Sequence, residues 1–364
     1  MRHIYIIFLF LVNATLFSQT LIGDKLTGNT VHEINDDGST IVTTNPFGQF
    51  STSLLEIYDF NSNQWQLRNS QQDLEASDFM LDGSGNTIII GDRNFSNSQS
   101  SSAGKVEVYT WDGSNWQQKG NTFTGNANNA LFGTNVFINN TGDQISFLSQ
   151  NLLFTYEWDG SSCQQIGSGL STSSLSASVI EFDDSGNLFA VAQAPNNPAP
   201  VDFNVRIYEL QKNNWVQKGN TIVNPLFAVT NLDFVFSFNK FTNRFVLGCG
   251  TCSDFNNTAG SAVVYEYSND QWQQKGSIIT GDQAFYRLGT DVALNATGNK
   301  MIVGQPNFDC FGDDAGEIKL FEYDNTANSW NQTLSIDGEL AGNRFGTFVD
   351  ISDSGYIISA ASAS

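Results

Sequence analysis

The sequence has 364 residues and a formal net charge of −21 at pH 7, with 37 acidic side chains and 16 basic ones. This balance argues against a protein that binds nucleic acid phosphates or anionic membranes, because both need a basic surface. Hydrophobic residues make up 40% of the chain, which is enough for a large core and argues against global disorder.

The N-terminal segment is predicted to be an export signal. Arg2 and His3 provide a short basic start, and residues 4–12 form an unbroken apolar run. Small and polar residues follow, so we expect a signal peptide over residues 1–18 with cleavage before Gln19. A membrane anchor is the alternative, although the run is shorter than a bilayer-spanning helix needs. We therefore expect a secreted or extracellular protein without stable membrane insertion, for which attachment to a cell surface stays open.

A repeated unit occupies most of the remaining chain. Its first step reads Trp-x-Gln-Lys-Gly and stands at residues 116–120, 215–219 and 272–276. Two short apolar runs around a turn, a long polar segment, and an alternating run with aromatic residues at its end complete the unit. Self-similarity at about 45 to 60 residues indicates stacked β units. The regular phase of the Trp residues predicts that they pack between units.

Each unit predicts four strands. The runs 87–91, 244–248 and 301–304 suit strands that are buried on both faces, and the alternation in residues 106–111 suits a strand with one buried face. The two apolar runs form a hairpin with Gly in its turn in six of seven copies, at Gly38, Gly85, Gly142, Gly186, Gly298 and Gly355. The pattern predicts an all-β fold, a seven-bladed β-propeller of four-stranded antiparallel blades. A β-solenoid is the alternative.

The two ends of the chain are predicted to share the last blade. Residues 19–28 match the fourth strand of a unit, and residues 360–364 come just after a second strand. The N-terminal strand would then close the ring and cover two strand edges, while the last blade stays incomplete. We therefore expect one propeller domain over residues 19–364 and a natural chain that continues past Ser364.

Three short stretches carry a resemblance to a known family. Residues 132–136, 288–292 and 345–349 share a Gly-Thr pair after Phe or Leu, and second strands end at Gly91, Gly248 and Gly304. In these features the chain resembles exported bacterial proteins with FG-GAP repeats, the blades of integrin-α-like propellers. The resemblance covers residues 19–364 and implies a propeller, often in a surface protein with a C-terminal sorting module. Calcium-binding members have an Asp-x-Asp-x-Asp-Gly loop between the first two strands, whereas this chain has bare turns such as residues 295–298.

Four cysteines stand at positions 163, 249, 252 and 310. Export permits disulfides. Cys252 and Cys310 fall in the same loop of neighbouring units, so a bridge from Cys310 to Cys252 or to Cys249 is predicted. Unpaired buried thiols are the alternative. Cys163 replaces the Trp of its unit and is expected to be a packing residue.

Few residues suggest catalysis or metal binding. His32 lies on a predicted strand, where a structural role is expected. The carboxylate pairs at residues 36–37 and 183–184 lie in turns, where Asp is favoured for turn geometry. The loop at residues 307–317 gathers the oxygen ligands that Ca²⁺ prefers, and its candidate ligands are Asn307, Asp309, Asp313 and Asp314. A solvated acidic loop is the alternative, so no cofactor is predicted and calcium is the one ion considered.

The long loops predict the functional surface. They all belong to connections that lie on one face of a propeller, and loops gathered on a rigid scaffold form binding surfaces. Ligand contacts are expected from the aromatic residues of these loops, which are Phe95, Phe255, Phe285, Tyr286, Phe308 and Phe311. The alternative is that the loops are connectors with aromatic residues packed beneath them.

The sequence therefore predicts a non-catalytic binding or adhesion module for an extracellular protein or glycan, with a monomeric propeller. One alternative is a secreted propeller enzyme that acts on polysaccharide, which would need two carboxylates facing each other across a cleft. Another is a structural spacer within a larger surface protein.

Overall fold

The computed structural model describes residues 9–10, 20–21, 31–44, 53–68, 74–150, 152–171, 177–193, 203–223, 225–226, 234–240, 244–252, 258–309 and 312–362. Within these residues every regular element is a β-strand, and no helix long and apolar enough to cross a membrane occurs among them. The strands form antiparallel sheets that follow one another along the chain, which confirms the predicted all-β propeller.

Six sheets are complete blades, each made from four consecutive strands. Blade 1 contains Val31–Ile34, Thr40–Thr44, Ser53–Asn61 and Gln64–Leu67. Blade 2 contains Asp78–Leu81, Thr87–Asp92, Lys105–Trp111 and Trp116–Gln118. Blade 3 contains Val136–Ile138, Gln144–Ser149, Leu152–Trp158 and Cys163–Gln165. Blade 4 contains Ala177–Phe182, Leu188–Gln193, Asn204–Gln211 and Asn214–Gln217. Blade 5 contains Phe234–Phe238, Arg244–Cys249, Ser261–Ser268 and Gln271–Gln274. Blade 6 contains Val292–Leu294, Lys300–Gln305, Glu317–Asp324 and Ser329–Asp337.

A short extra strand extends the outer edge of blades 1 to 5 by pairing with the third strand. These strands are Glu75–Ala76, Phe123–Thr124, Leu170–Ser171, Ile222–Val223 and Ile279–Thr280. In blade 6 the long strand Ser329–Asp337 covers the same length of its neighbour, with a register shift opposite Leu320 and Phe321.

The seventh sheet differs from the blades. It contains Phe345–Ile351 and Ile357–Ser362, followed by the two-residue strands Leu9–Phe10 and Thr20–Leu21. The prediction of seven blades is therefore corrected to six complete blades. After blade 6 the described chain supplies only the first two strands of the unit, and two-residue strands from the N-terminal segment take the other positions.

The second strands of the blades are buried on both faces, as predicted. Thr87–Asp92 is buried over its first five residues, and all of Thr40–Thr44 is buried. The preceding turns use glycine where the backbone is left-handed, for example at Gly38 with φ 77° and at Gly355 with φ 70°. Neighbouring sheets pack through apolar layers, such as the layer that joins Phe203 and Val205 of blade 4 to Phe234 and Phe245 of blade 5.

The Lys-Gly of the Trp-x-Gln-Lys-Gly step lies against the next blade. Lys218 pairs with Glu209 at 2.7 Å, and its Nζ lies 4.8 Å from the ring centroid of Tyr267 in the following blade. Gly219 has φ 72°, and a Cβ there would lie 3.0 Å from the Tyr267 ring. The step therefore recurs because it joins consecutive blades.

The FG-GAP-like stretches join blades at the opposite end of the strands. The first residues of these stretches form parallel bridges with the glycine that precedes the third strand of the blade before, at Gly104–Phe132, Gly260–Leu288 and Gly316–Phe345. In each bridge the backbone N–H of the Phe or Leu donates a hydrogen bond to the carbonyl oxygen of the residue that precedes the glycine. Leu288, for example, donates to Ala259 at 2.9 Å.

The cysteines depart from the prediction. Cys249 and Cys252 form a disulfide with Cα atoms 5.4 Å apart, and both are fully buried. The predicted Cys252–Cys310 bridge is therefore wrong; Cys310 lies outside the described residues. A turn in which the Cys252 N–H donates to the Cys249 carbonyl brings the two side chains together. Cys163 is a free, half-buried thiol on the strand that carries Trp in other blades.

Candidate functional site

A cavity of about 350 Å³ lies at the centre of the molecule. The first strand of each sheet bounds this cavity. Each of these strands contributes an apolar lining residue: Ile34, Leu81, Ile138, Phe182, Phe238, Leu294 and Ile351. The cavity is therefore the channel around which the sheets are arranged, and we refer to it as the channel.

One end of the channel is held together by the backbone. Successive sheets are linked there by N–H to carbonyl hydrogen bonds of 2.7 to 3.3 Å, in the order Ala296, Asp353, Asp36, Gly83, Asn140 and Asp184. Each of these residues directly follows the first residue of a hairpin turn, so we call this end the turn mouth. The links fix the side chains at the mouth relative to one another.

Acidic residues recur at two positions of the inner strands. In three sheets, one carboxylate lies two residues before the first residue of the hairpin turn, and a second carboxylate directly follows that first residue. The deeper set comprises Glu33, Glu181 and Asp350, and the set at the turn mouth comprises Asp36, Asp184 and Asp353. Residues three apart on a regular strand face opposite sides, so both sets line the channel because the strand ends and the turn begins between them.

Most of the deep carboxylates have a structural partner. Glu33 Oε2 accepts the N–H of Leu81 at 2.9 Å, and Asp350 Oδ2 accepts the N–H of Ile34 at 3.4 Å. The donor in each case lies on the inner strand of the next sheet. An inner strand has no strand partner on its channel side, so its buried N–H groups need such acceptors.

Two further carboxylates act in the same way, two residues deeper along their strands. Asp78 accepts the N–H of Val136 at 2.8 Å, and Asp291 accepts the N–H of Val349 at 2.7 Å. Burial raises the pKa of Asp78 and of Asp291 to about 7, although these hydrogen bonds oppose the change. Burial likewise raises the pKa of Asp350 to about 7 and that of Glu33 well above its ordinary value.

Glu181 is the exception among the deep carboxylates. It lines the channel at the position of Glu33 and Asp350, yet within the described residues its carboxyl group has no hydrogen-bond partner. Burial raises its pKa to about 8, and the carboxylates of Asp78, Asp291 and others add to this effect. Among the described residues, Glu181 is therefore the deep carboxyl group that no donor engages, and burial favours its protonated form.

A lysine occupies part of the turn mouth. Lys240 Nζ lies 2.5 Å from Asp36 Oδ2 and 2.6 Å from Asp353 Oδ2. Burial alone would lower the pKa of Lys240, but the hydrogen bonds to Asp353 and Asp36 raise it. The Asn140 side-chain amide also donates to Asp36. Two of the three carboxylates at the mouth are thus engaged.

Asp184 is the third carboxylate at the turn mouth, and it forms no ion pair with Lys240 in the described residues. It has no side-chain hydrogen bond in the described part of the chain, and burial, with Asp36 next in importance, raises its pKa to about 7. Its neighbour in sequence, Asp183, performs the turn role that the sequence predicted, by accepting the N–H of Leu188 at 2.8 Å.

Three carboxylates at the turn mouth are close enough to share a cation. Ligand oxygens of Asp36, Asp184 and Asp353 all lie within 4.8 Å of one another. The ammonium group of Lys240 already pairs with two of them, Asp36 and Asp353. These residues therefore form a carboxylate cluster of a size that suits a cation, and Lys240 occupies part of it.

The predicted calcium loop has other contacts. Asp309 Oδ1 accepts the N–H of Asp314 at 2.8 Å, and Asp314 pairs with Arg344 at 3.1 Å. Asn307 donates its backbone N–H to Tyr286, and Asp313 is exposed and accepts the N–H of Gly342 through its carbonyl. In the described residues the carboxylates converge at the turn mouth and not in this loop.

The predicted loop aromatics divide into three groups. Tyr286 and Phe308 pack edge to face with ring centroids 5.2 Å apart, and Phe285 beside them is 64% exposed. Phe95 is half-buried, with Lys105 Nζ 5.5 Å from its ring centroid. Phe255 and Phe311 lie outside the described residues.

The comparisons with known proteins establish the fold alone. No family model and no curated protein matches the chain, so the FG-GAP resemblance stays a prediction. The chain is similar to the β-propeller domain of Cps50 (Swd1) from Myceliophteria thermophila, at 9% identity and TM-score 0.55, covering 93% of this chain and 97% of that one.

Two of the similar structures bear lactonase names. A putative 6-phosphogluconolactonase from Bacteroides uniformis matches at 9% identity and TM-score 0.59, over 93% of this chain and 98% of that one. The periplasmic gluconolactonase PpgL from Pseudomonas aeruginosa matches at 11% identity and TM-score 0.52, over 92% and 96%. At these identities the similarity shows the fold alone, because one fold can carry different functions.

Proposed function

We propose that this protein is a β-propeller enzyme whose active site is the acidic channel, with Glu181 and Asp184 as a general acid–base pair. One observation carries the proposal: these are the two channel carboxyl groups that no protein donor engages in the described residues. Both also titrate near neutral pH, which is where a catalytic acid and base work best.

The pair suits hydrolysis of a small ester or lactone. Burial raises the pKa of Glu181 to about 8 and that of Asp184 to about 7, so we assign the acid to Glu181 and the base to Asp184. Asp184 takes a proton from a water molecule, and the resulting hydroxide adds to the substrate carbonyl carbon. Glu181 gives its proton to the leaving oxygen as the carbon–oxygen bond breaks. Two carboxyl groups with separated pKa values are the usual basis for such a division of roles.

The size of the channel limits the substrate. A cavity of about 350 Å³ is at the small end of ligand sites and encloses one sugar-sized molecule, not a polysaccharide chain. We therefore replace the polysaccharide alternative by a small sugar-derived substrate. The lactonase names among the similar structures make sugar lactones the first compounds to assay, although identity near 10% supports no more than that choice.

The test is a hydrolysis assay on a panel of sugar lactones and small glycosides. If the proposal is correct, Glu181→Gln and Asp184→Asn each lower kcat at least about 100-fold. Asp37→Asn is the matched control, because Asp37 is exposed in the same type of turn and makes its own turn hydrogen bond. If hydrolysis continues at the wild-type rate in both Glu181→Gln and Asp184→Asn, the reaction does not take place at this pair of carboxyl groups.

A binding role for the loop face is the second candidate. Phe285 is 64% exposed and sits beside the packed pair Tyr286 and Phe308, as a contact residue for an extracellular protein or glycan would. Glycan-array binding that is lost in Phe285→Ser but kept in Glu181→Gln would favour this candidate. Either function fits the predicted export and a monomeric propeller, which also remain proposals.

A further inference from the structure

We infer that the ligand of the channel carries a protonated amine, as an amino sugar does. The inference rests on the channel being the ligand site of the proposed function. Eight carboxyl side chains line the cavity, and within the described residues the single basic group that lines it is that of Lys240. A ligand therefore enters a cavity rich in carboxyl groups, with one cation among the described residues that line it.

The channel offers hydrogen-bond acceptors and few donors. Backbone N–H groups of the inner strands, such as those of Leu81 and Val349, already donate to Glu33 and Asp291. Lys240 is engaged by two carboxylates. Among the described residues that line the cavity, a phosphate or carboxylate would find no cation other than Lys240, which two carboxylates already engage, and would face the carboxyl groups directly, which disfavours anionic ligands.

The turn mouth already holds one ammonium group. Lys240 Nζ bonds to Asp36 and Asp353 at 2.5 and 2.6 Å, so the geometry of this cluster suits a primary amine. Asp184 lies within 4.8 Å of both and is unengaged, and Glu181 lines the same cavity without a partner. The three mouth carboxylates and Lys240 sum to a charge of −2, which leaves room for a cationic ligand.

The experiment compares three probes of similar size by calorimetry at pH 7.5: glucosamine, glucose and glucose 6-phosphate. We expect glucosamine to bind at least about tenfold more tightly than glucose, because a charged hydrogen bond contributes about 1.5–3 kcal/mol. Glucose 6-phosphate should show the weakest binding. Equal affinity for glucosamine and glucose, tighter binding of the phosphate, or no binding of any probe would overturn the inference.

Two variants locate the binding site. Asp184→Asn should reduce the affinity for glucosamine at least tenfold and remove the preference over glucose, whereas Asp37→Asn should leave both unchanged. Circular dichroism confirms that each variant is folded. A calcium chloride titration distinguishes the other cation: if calcium displaces glucosamine and binds more tightly, the mouth is a metal site and the amine inference fails.

Binding and turnover separate the two proposals. If glucosamine binds through Asp184 but no substrate of the panel is hydrolysed, the amine inference stands and the enzymatic proposal fails. If lactones are hydrolysed through Glu181 without any preference for amines, the opposite conclusion holds.

Discussion

The indole Nε1 of Trp272 donates a 3.0 Å hydrogen bond to the carbonyl oxygen of Lys218, which lies at the end of the preceding blade. Trp330 makes the same bond to Lys275, also at 3.0 Å. The Trp of one repeated step is thus hydrogen-bonded to the Lys of the step in the preceding blade. In these two cases the step of one blade contacts the corresponding strand of the next blade.

Replacement of Trp272 by Phe should lower the free energy of unfolding. Phe keeps much of the buried ring but has no N–H donor. The decrease in the free energy of unfolding should therefore exceed the decrease due to lost packing by about 1 kcal/mol. Trp116→Phe is the matched control: Trp116 holds the equivalent position and is 3% exposed, as Trp272 is, without an indole hydrogen bond in the described residues. Urea unfolding of both variants measures the difference, and equal losses would contradict the role of the hydrogen bond.

Much of the fold could be predicted because each unit encodes its own strands and turn. The buried run Thr87–Asp92 and the glycine turn at Gly85 follow from local periodicity and backbone chemistry. The composition of the seventh sheet could not be predicted in the same way. Its third position is held by Leu9–Phe10, which pairs with residues distant in sequence and lacks the repeat pattern.

Gly260 should tolerate no side chain. Its φ is 83°, and a Cβ would lie 2.1 Å from the carbonyl oxygen of Leu288, the residue with which it forms the bridge between blades 5 and 6. Gly260→Ala must therefore separate two backbones, and we expect a loss of about 3 kcal/mol or more in the free energy of unfolding.

Gly113→Ala is the control for Gly260→Ala. Gly113 has φ 97°, so alanine meets the same kind of backbone strain, but nothing lies within 4 Å of its Cβ position. We expect a loss of about 1–2 kcal/mol from the left-handed backbone alone. Chemical denaturation of the two variants isolates the cost of the clash, and similar losses would show that blades 5 and 6 are not in close contact at this bridge.

The candidate site was harder to predict than the fold. The sequence predicts turn roles for residues 36–37 and 183–184, and this is correct for Asp37 and Asp183, which accept backbone N–H groups of their own turns. Their sequence neighbours Asp36 and Asp184 line the channel instead. A signal was present, since Glu33, Glu181 and Asp350 recur two residues before a turn. Only the ring brings them together, because they are up to 317 positions apart.

The disulfide correction can be tested by peptide mapping. Under denaturing, non-reducing conditions, Cys163 should react with an alkylating reagent, while Cys249 and Cys252 should stay unlabelled in a single peptide whose mass matches an internal disulfide. Reduction before alkylation should label both. A cross-linked peptide that joins Cys252 to Cys310 would restore the original prediction and contradict the turn that pairs Cys252 with Cys249.

Glu181→Gln should stabilise the protein at high pH and not at low pH. Burial raises the pKa of Glu181 from an ordinary value of 4.5 to about 8, so the folded protein binds this proton more tightly than the unfolded chain does. Stability from this group is therefore present near pH 4.5 and is lost as the pH rises to about 8. Gln is neutral throughout and avoids that loss.

The measurement is the melting temperature of wild type and variant at pH 5 and pH 9 and constant ionic strength. One pKa unit corresponds to about 1.4 kcal/mol, and channel water screens part of the effect, so we expect a gain on the order of 2 kcal/mol at pH 9. Glu75→Gln, which makes the same change at an exposed position, should show no comparable pH-dependent gain. If Glu181→Gln behaves as Glu75→Gln does at both pH values, then Glu181 is not a buried, unpartnered carboxyl group, and the assignment of the acid in the channel is lost with it.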